Sequence, residues 1–413
     1  MSTFQPVFCL YRVLTLTLFT LHPLANASQI LVVDPSGEGT HRTLSEAIAS
    51  LPMFCYERTV IYLKNGTYEE KIRIDQDFIT LRGESREGVR IIGNLPRQKW
   101  IDAPDAIGPA VVNLFGDDII IENLTIENTQ PDTSVHAFAV YGQGTRTLIQ
   151  NANLWSRGGD TVSLWNYKNG MYYHANCDFR GAVDFVCPRG WCYITSSTFH
   201  CVRTTAAVWH AGGYDASQKL VVHNSSFDGD VPFELGRHHY DAQFYFIGCN
   251  FSEKVMDRPI YRVRYEDPSK NRPDNWGDRV YFHASQSEHL TWTSDNLRER
   301  TPSVEAHEIS ASWTFDGKWD PEKTIPPQVI SIQQHGADKI DLVFDETITV
   351  RGHPELRKDG RVLRYVQGAG SNQLRFVGDL PDHPEQENFA DWNVHHGELV
   401  GNTATRMERK FAP

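Results

Sequence analysis

Leu148-Ile-Gln-Asn-Ala-Asn-Leu154 is a short β-rich segment that ends in small polar residues and one apolar residue. Five further segments of this form close on Ile126, Phe179, Phe199, Phe227 and Phe251. The closing residues recur at a mean spacing of about 25 residues, and a repeat of roughly 20–50 residues is typical of a solenoid or another array of stacked units. We call each of these repeating units a coil.

The repeating units are predicted to be strands, because Val, Ile, Tyr, Phe and Thr dominate them and Gly, Asn or Asp separates them. A propeller blade needs roughly 40 residues or more, which is longer than these units. We therefore predict a mostly β chain that forms a parallel β-helix, with one continuous apolar core and capped ends. Residues 43–51, Thr-Leu-Ser-Glu-Ala-Ile-Ala-Ser-Leu, have the amphipathic pattern of a helix that would suit the N-terminal cap.

The pattern changes near residue 320. Residues 323–328, Lys-Thr-Ile-Pro-Pro-Gln, are predicted to form a linker. Beyond them Ile340, Leu342 and Phe344 alternate with polar residues, which indicates half-buried antiparallel strands. We predict a β-helix domain over residues 28–325 and a small β-sandwich-like module over residues 326–413.

Residues 1–27 are predicted to be a signal peptide. Arg12 precedes a short apolar stretch at residues 13–21, and Ala25-Asn-Ala27 is a small-x-small cleavage pattern. No later segment approaches the roughly 18 apolar residues of a spanning helix, so no membrane anchor is expected. The pattern predicts a secreted or periplasmic protein that is cleaved near Ala27.

The overall charge excludes one class of partner. The 413 residues include 40 Lys and Arg against 52 Asp and Glu, which gives a net charge of −12. A nucleic-acid-binding protein normally carries a basic excess. An acidic substrate would have to be held by local basic groups, because the chain as a whole does not attract it.

Six of the seven cysteines follow the predicted signal peptide, and an even number in an exported chain favours one or more disulfides. Fifteen pairings are open, and the sequence does not choose among them. No Cys-x-x-Cys pair occurs, so no structural metal site is expected.

Reactive side chains recur at the spacing of one coil. Asp184 follows Asp160 by one coil length, and Asp160 follows His136 by the same interval. Arg237 lies about two coils after Asp184, and Trp209 and His210 lie about one coil after Asp184. Since equivalent positions on neighbouring coils are about 4.8 Å apart, the two carboxylates are predicted to stack.

A stacked carboxylate pair titrates as a unit, and the pKa of one member is raised. An Arg beside one carboxylate keeps that group ionised. The pair would then supply one carboxylic acid and one carboxylate for nucleophilic or acid–base work. A structural role is the alternative, since Asp also caps turns and Trp209 could pack in the core.

The chain resembles pectin methylesterases, carbohydrate esterases built on a right-handed parallel β-helix. The resemblance covers residues 30–319 and rests on several ordered blocks. These are Val33-Asp-Pro-Ser-Gly-Glu-Gly39, Gly159-Asp-Thr-Val162, Val183-Asp-Phe-Val186, Leu235-Gly-Arg237 and Trp313-Thr-Phe-Asp-Gly-Lys-Trp319.

The resemblance implies a role for each matching residue. Asp184 would attack the methyl ester of a galacturonate unit, and Asp160 would act first as acid and then as base. Arg237 would hold Asp184 ionised, and Phe185 would line the substrate cleft. Pectin or a related polyuronate would be the substrate, and the resemblance implies no metal or cofactor.

Three positions depart from the family pattern. His136 and Gly159 replace two Gln residues that stabilise the oxyanion in the family, and His239 replaces a Trp of the cleft. A donor to the oxyanion contributes about 3–4 kcal/mol where it has been measured. His136 could donate in place of one Gln, whereas Gly159 offers only its backbone.

Three alternatives stay open at this point. The chain could be a non-catalytic glycan-binding β-helix, an esterase for another uronate or an acetyl ester, or a lyase or glycoside hydrolase. A lyase would need a Lys or Arg base and usually calcium, whereas a hydrolase would release new reducing ends instead of methanol.

Overall fold

The computed structural model describes residues 30–322 except 57, 286 and 302, residues 329–401 except 370, 390 and 391, and residues 409–410. The predicted signal peptide and the predicted linker at 323–328 lie outside these residues. So does the predicted domain boundary at 325/326.

Residues 30–283 form a right-handed parallel β-helix, which confirms the predicted fold class. Its first sheet has ten parallel strands, one for each coil. They are Ile30–Val33, Thr59–Leu63, Ile79–Gly83, Ile120–Glu122, Thr147–Gln150, Met171–Ala175, Trp191–Thr195, Leu220–His223, Phe244–Ile247 and Val280–His283.

Two further sheets complete each coil. The second sheet consists of Gly66–Tyr68, Val89–Gly93, Thr125–Asn128, Asn153–Ser156, Asp178–Gly181, Thr198–Cys201, Ser226–Gly229 and Asn250–Phe251. The third sheet consists of Ile72–Ile74, Val112–Leu114, Val140–Gly142, Val162–Leu164, Ala206–Trp209, Glu234–His238 and Tyr261–Arg262. Parallel bridges through Val186 join its two parts.

The closing apolar residues of the sequence repeat stack directly on one another in the second sheet. Leu154 pairs with Ile126 and Phe179, and Phe199 pairs with Phe179 and Phe227. The residue three positions before each closing residue has a positive φ, which Asn and Gly adopt most readily. These turn residues are Asn123, Asn151, Asn176, Ser196, Asn224 and Gly248. The repeat therefore encodes both the core stack and the turn.

The predicted N-terminal helix is present as Leu44–Ala49, and Thr43 and Glu46 form a capping box at its start. The other α-helices are Arg97–Asp102, Leu297–Arg300 and Ala311–Thr314. Short 3₁₀ helices occupy Pro268–Lys270, Ala306–Glu308 and Pro384–Gln386. Leu297, Ile309, Ala311 and Phe315 pack on the outer face of the first sheet, against an apolar cluster that includes Tyr173 and Tyr245.

The C-terminal module is an antiparallel sheet of six strands. They are Val329–Gln334, Lys339–Lys358, Arg361–Gln367, Ser371–Gly378, Asn393–Gly401 and Arg409–Lys410. The strand Lys339–Lys358 pairs with four of the others, so the sheet folds back around one core instead of forming two separate sheets. Ile340, Leu342 and Phe344 are fully buried there, as their alternation predicts.

The six cysteines in the described part of the chain are buried and free, so the expectation of disulfides is wrong. The thiols of Cys177 and Cys249, for example, donate to backbone carbonyls of the preceding coil, those of Ile149 and Val222. Within the described residues, no three His, Cys, Asp or Glu side chains are grouped as metal ligands. Every described helix is too short or too polar to span a membrane.

Candidate active site

Asp160 and Asp184 occupy equivalent corners on neighbouring coils. Their φ angles are 58° and 50°, in the left-handed region that Asp tolerates better than most residues. The parallel bridge between Val162 and Val186 sets their register at one coil, as the spacing predicts. Each N–H bonds to the next coil, that of Asp160 to Val183 O at 2.9 Å and that of Asp184 to Ala206 O at 2.8 Å.

Arg237 holds Asp184 through both carboxylate oxygens. Its Nε donates to Oδ1 at 2.9 Å, and its Nη2 donates to Oδ2 at 2.7 Å. Arg237 lies two coils beyond Asp184 on the strand Glu234–His238, and its side chain reaches back to the carboxylate. Planar bidentate pairing of this kind fixes the direction of a carboxylate as well as its charge.

Burial governs the titration of Asp184. Desolvation raises its pKa to about 6, and the charge of Asp160 adds to this rise while Arg237 opposes it. The ion pair with Arg237 lowers this pKa but does not offset the effect of burial. A carboxyl group with this pKa is still mostly ionised at neutral pH, so Asp184 remains available as a nucleophile.

His136 faces Asp160, as the one-coil spacing suggests. Its Nδ1 lies 3.3 Å from Asp160 Oδ2. The backbone bridge nevertheless joins His136 to Gly159, one residue before the predicted partner. The contact with Asp160 raises the pKa of His136 above its ordinary value, although burial acts in the opposite direction.

Gly159 cannot offer its backbone N–H to a substrate, contrary to the expectation from sequence. That N–H donates to Val135 O at 3.0 Å, and the Gly159 carbonyl accepts from Ala137 N at 3.0 Å. Both backbone groups of Gly159 are therefore already hydrogen-bonded within the β-helix. Of the two positions where the family carries Gln, only His136 retains a donor for the site.

The site lies on the outer face of the third sheet, which we call the third-sheet face. One residue per coil points outward there, in parallel register. These residues are Asn113, Tyr141, Ser163, Cys187, Trp209, Arg237 and Tyr261. Tyr141, Cys187 and Trp209 belong to two small apolar clusters outside the main core, so the face is rich in aromatic rings beside the charged groups.

Trp209 and His239 form one wall of this face. Trp209 Nε1 donates to His239 Nδ1 at 2.8 Å. Desolvation lowers the pKa of His239 to about 4, which leaves the ring neutral at pH 7. The sequence places both residues at the site, and the structure does bring them beside Arg237.

Two other predicted contacts with substrate are wrong. Phe185 is fully buried and packs against Phe199 in the main core. His210 is also fully buried, and its ring nitrogens bond to Gly190 O and to the backbone N–H of Gln243. Each residue directly follows one that belongs to the site, and successive residues of an extended chain point to opposite sides.

The structure adds a residue that the sequence analysis missed. Arg189 lies between two indoles, with Cζ 4.5 Å from the Trp165 ring centroid and 4.3 Å from that of Trp209. A signal for this was available, because Arg189 follows Trp165 by one coil length, the same interval that separates the two Asp residues.

Comparison with known proteins places this geometry in a family context. A family model described as Pectinesterase matches residues 30–210, which include His136, Asp160 and Asp184. A pectinesterase of Petunia integrifolia is 26% identical over 169 residues, which cover 40% of this chain and 43% of that protein. Pectinesterase 31 of Arabidopsis thaliana is 28% identical over 185 residues, which cover 42% of this chain and 56% of that protein. The chain thus spans about half the length of these relatives.

Solved structures show the same fold. Pectin methylesterase PemA from Erwinia chrysanthemi superposes with a TM-score of 0.58 at 19% identity, covering 72% of this chain and 98% of that one. A pectin methylesterase in complex with a hexasaccharide superposes with a TM-score of 0.57, again at 19% identity and with the same coverage. At this identity the likeness establishes the architecture.

Proposed function

We propose that this chain is a carboxylic ester hydrolase of the pectinesterase family, whose model matches residues 30–210, and that it removes methyl groups from pectin. The observation that supports this best is the bidentate pairing of Arg237 with Asp184, one coil from Asp160. A buried carboxylate that a cation orients, beside a second carboxyl group, suits acyl transfer.

The proposed reaction has two halves. In the first, Asp184 attacks the ester carbonyl, and the tetrahedral intermediate collapses as Asp160 gives a proton to the departing methanol. In the second, Asp160 takes a proton from water, which attacks the acyl group on Asp184. Asp184 is released as a carboxylate together with the uronate.

His136 is the proposed donor to the oxyanion. It stands at a position where the family carries Gln, beside Asp160, and its side chain is 42% exposed. A protonated imidazole is a charge-assisted donor, which is stronger than the neutral amide it replaces. The raised pKa of His136 extends the pH range over which it carries that proton.

The proposal includes export, on the strength of the signal-peptide pattern at residues 1–27. A cell-wall polymer such as pectin would be met outside the cytoplasm. Pectin is also acidic where its esters have been removed, which is consistent with a site that concentrates arginines within an acidic chain.

The test measures methanol and acetate separately after purified protein acts on methylated and acetylated pectins. We expect methanol from the wild type and a loss of at least about 10³-fold in Asp184→Asn, because the nucleophile is removed. Asp230→Asn is the matched control, since Asp230 is exposed and pairs with His200 on the second sheet. Full activity of Asp184→Asn would end the mechanism. Pectin binding without methanol or acetate release would identify a binding module, which the replaced Gln residues favour as the second candidate.

A further inference from the structure

Arg189 is a cation held in an aromatic slot. The residue is 8% exposed, and its guanidinium lies between the rings of Trp165 and Trp209. Trp165 comes from the preceding coil and Trp209 from the following one, so the slot spans three coils of the third-sheet face. Stacking of this kind holds the guanidinium plane in place and leaves its edge free to donate hydrogen bonds.

Among the described residues, Arg189 has no carboxylate partner. Its Nη1 donates to Cys187 O at 2.5 Å, whereas its Nε is buried and makes no hydrogen bond. The Tyr167 ring lies 5.7 Å from Cζ, and the Tyr167 side chain is a neighbour of the guanidinium that carries no carboxylate. The other deeply buried cations of the β-helix are paired, as in Arg82 with Glu122 and Lys219 with Asp316. An unpaired buried charge is costly, so its presence beside the site calls for an anion from outside.

A second guanidinium lies across Trp165. Arg97 Cζ is 5.6 Å from the Trp165 ring centroid, and this half-buried residue also has no carboxylate partner within the described chain. The backbone N–H of Arg97 donates to His136 O at 2.8 Å, which ties this cation to the candidate site. Two unpaired arginines in a chain of net charge −12 form a local basic area next to Asp160.

We propose that Arg189 binds the free carboxylate of a uronate unit that neighbours the ester under attack, with Arg97 adding positive charge to the same subsite. This inference rests on the proposed function and extends it to substrate choice. A guanidinium matches a carboxylate through two parallel hydrogen bonds, and it offers no such match to a methyl ester. The protein then favours partly de-esterified chains, and each hydrolysed unit helps to seat the next ester.

The test compares binding of two ligands by calorimetry with the full chain. One ligand is an oligogalacturonate without ester groups, and the other is the same oligomer fully methylated. Arg189→Met fills the slot with an apolar chain that packs well on aromatic rings, but it removes the charge. Arg189→Lys retains the charge without the planar fork. Arg180→Gln is the matched control, because Arg180 also lies over an indole, that of Trp155, but on the exposed side of the second sheet.

We expect Arg189→Met to bind the ester-free oligomer at least about tenfold more weakly, as the loss of charged hydrogen bonds implies, and to bind the methylated oligomer as the wild type does. Arg189→Lys should lie between the two, and added salt should weaken wild-type binding of the acid more than binding of the ester. Unchanged binding of the acid by Arg189→Met, or equal losses for both oligomers, would overturn the proposal. Binding needs no turnover, so Arg189-dependent binding without methanol release would remove the proposed function and leave this subsite standing.

Discussion

The imidazole of His136 occupies space that a side chain on Gly159 would need, since a Cβ at residue 159 would lie 2.9 Å from His136 Nδ1. It would also lie 2.6 Å from Val183 Cγ1. The two departures from the family pattern are therefore coupled. With the His136 ring in this position, a side chain at residue 159 could be accommodated only if the neighbouring side chains shifted.

This coupling predicts a non-additive pair of mutations. Gly159→Ala should lower the free energy of unfolding by about 1–3 kcal/mol through overpacking. The loss should be smaller by about 0.5 kcal/mol or more when His136 is also Ala, because one of the two close contacts is gone. Chemical denaturation of the four proteins in the cycle measures the difference. Gly213→Ala is the control, because nothing lies within 4 Å of a Cβ there. Strict additivity would show that the two positions do not share space.

The acid limb of the pH profile is predicted to belong to Asp184. Burial raises its pKa to about 6, and only the ionised form attacks an ester. The value of kcat/KM should therefore be complete above this pH and fall about tenfold for each unit below it. Arg237→Gln removes the group that lowers this pKa, so its acid limb should move to higher pH together with a loss of rate. Initial rates of methanol release across pH 4–9, a range of about five units, test both statements. An acid limb that stays in place in Arg237→Gln would assign it to another group.

A basic limb is predicted from His136. Its pKa is raised by Asp160, and the charges of Arg97 and Asp184 also act on it. If the imidazolium is the oxyanion donor, activity is complete below the pKa of His136 and declines as pH rises through it. His136→Gln supplies a neutral amide and should remove the contribution of His136 to this basic limb while it leaves the acid limb of Asp184 in place. An identical profile in wild type and variant would rule out the imidazolium.

The β-helix could be predicted because each repeating unit contains an apolar residue for the core and, three positions before it, a residue that suits a turn. Phe199, for example, closes a coil in the core, and Ser196 three residues before it takes the positive φ of the turn. The spacing of the closing apolar residues gives the length of one coil, and this length predicted that Asp160 and Asp184 lie in register on neighbouring coils. Arg237 was predictable as well, although its backbone is three residues past the position that aligns with Asp184.

Coil spacing did not predict on which side of the sheet a side chain lies, because this side changes from one residue to the next. Phe185 and His210 directly follow residues of the site, and both turn into the core. Arg189 was not predicted as a site residue. Its spacing of one coil from Trp165 becomes informative only when the structure shows which residues point outward from the third sheet. The even number of cysteines suggested disulfides, but the six cysteines of the described residues are free and buried, and an even count says nothing about whether two thiols face each other.

The turn residues predict a graded loss of stability at Asn151. Its φ is 47°, its Nδ2 donates to Asn123 Oδ1 at 2.8 Å, and its Oδ1 accepts from Asn176 Nδ2 at 2.9 Å. Asn151→Gly keeps the backbone conformation and loses the two side-chain hydrogen bonds. Asn151→Ala loses the same bonds and must also adopt a left-handed conformation, which costs about 1–2 kcal/mol more. The free energy of unfolding, measured with denaturant, should therefore be highest for the wild type, lower for Asn151→Gly and lowest for Asn151→Ala. An Ala variant as stable as the Gly variant would mean that the turn relaxes, and that side-chain hydrogen bonds rather than backbone conformation explain why Asn recurs in this ladder.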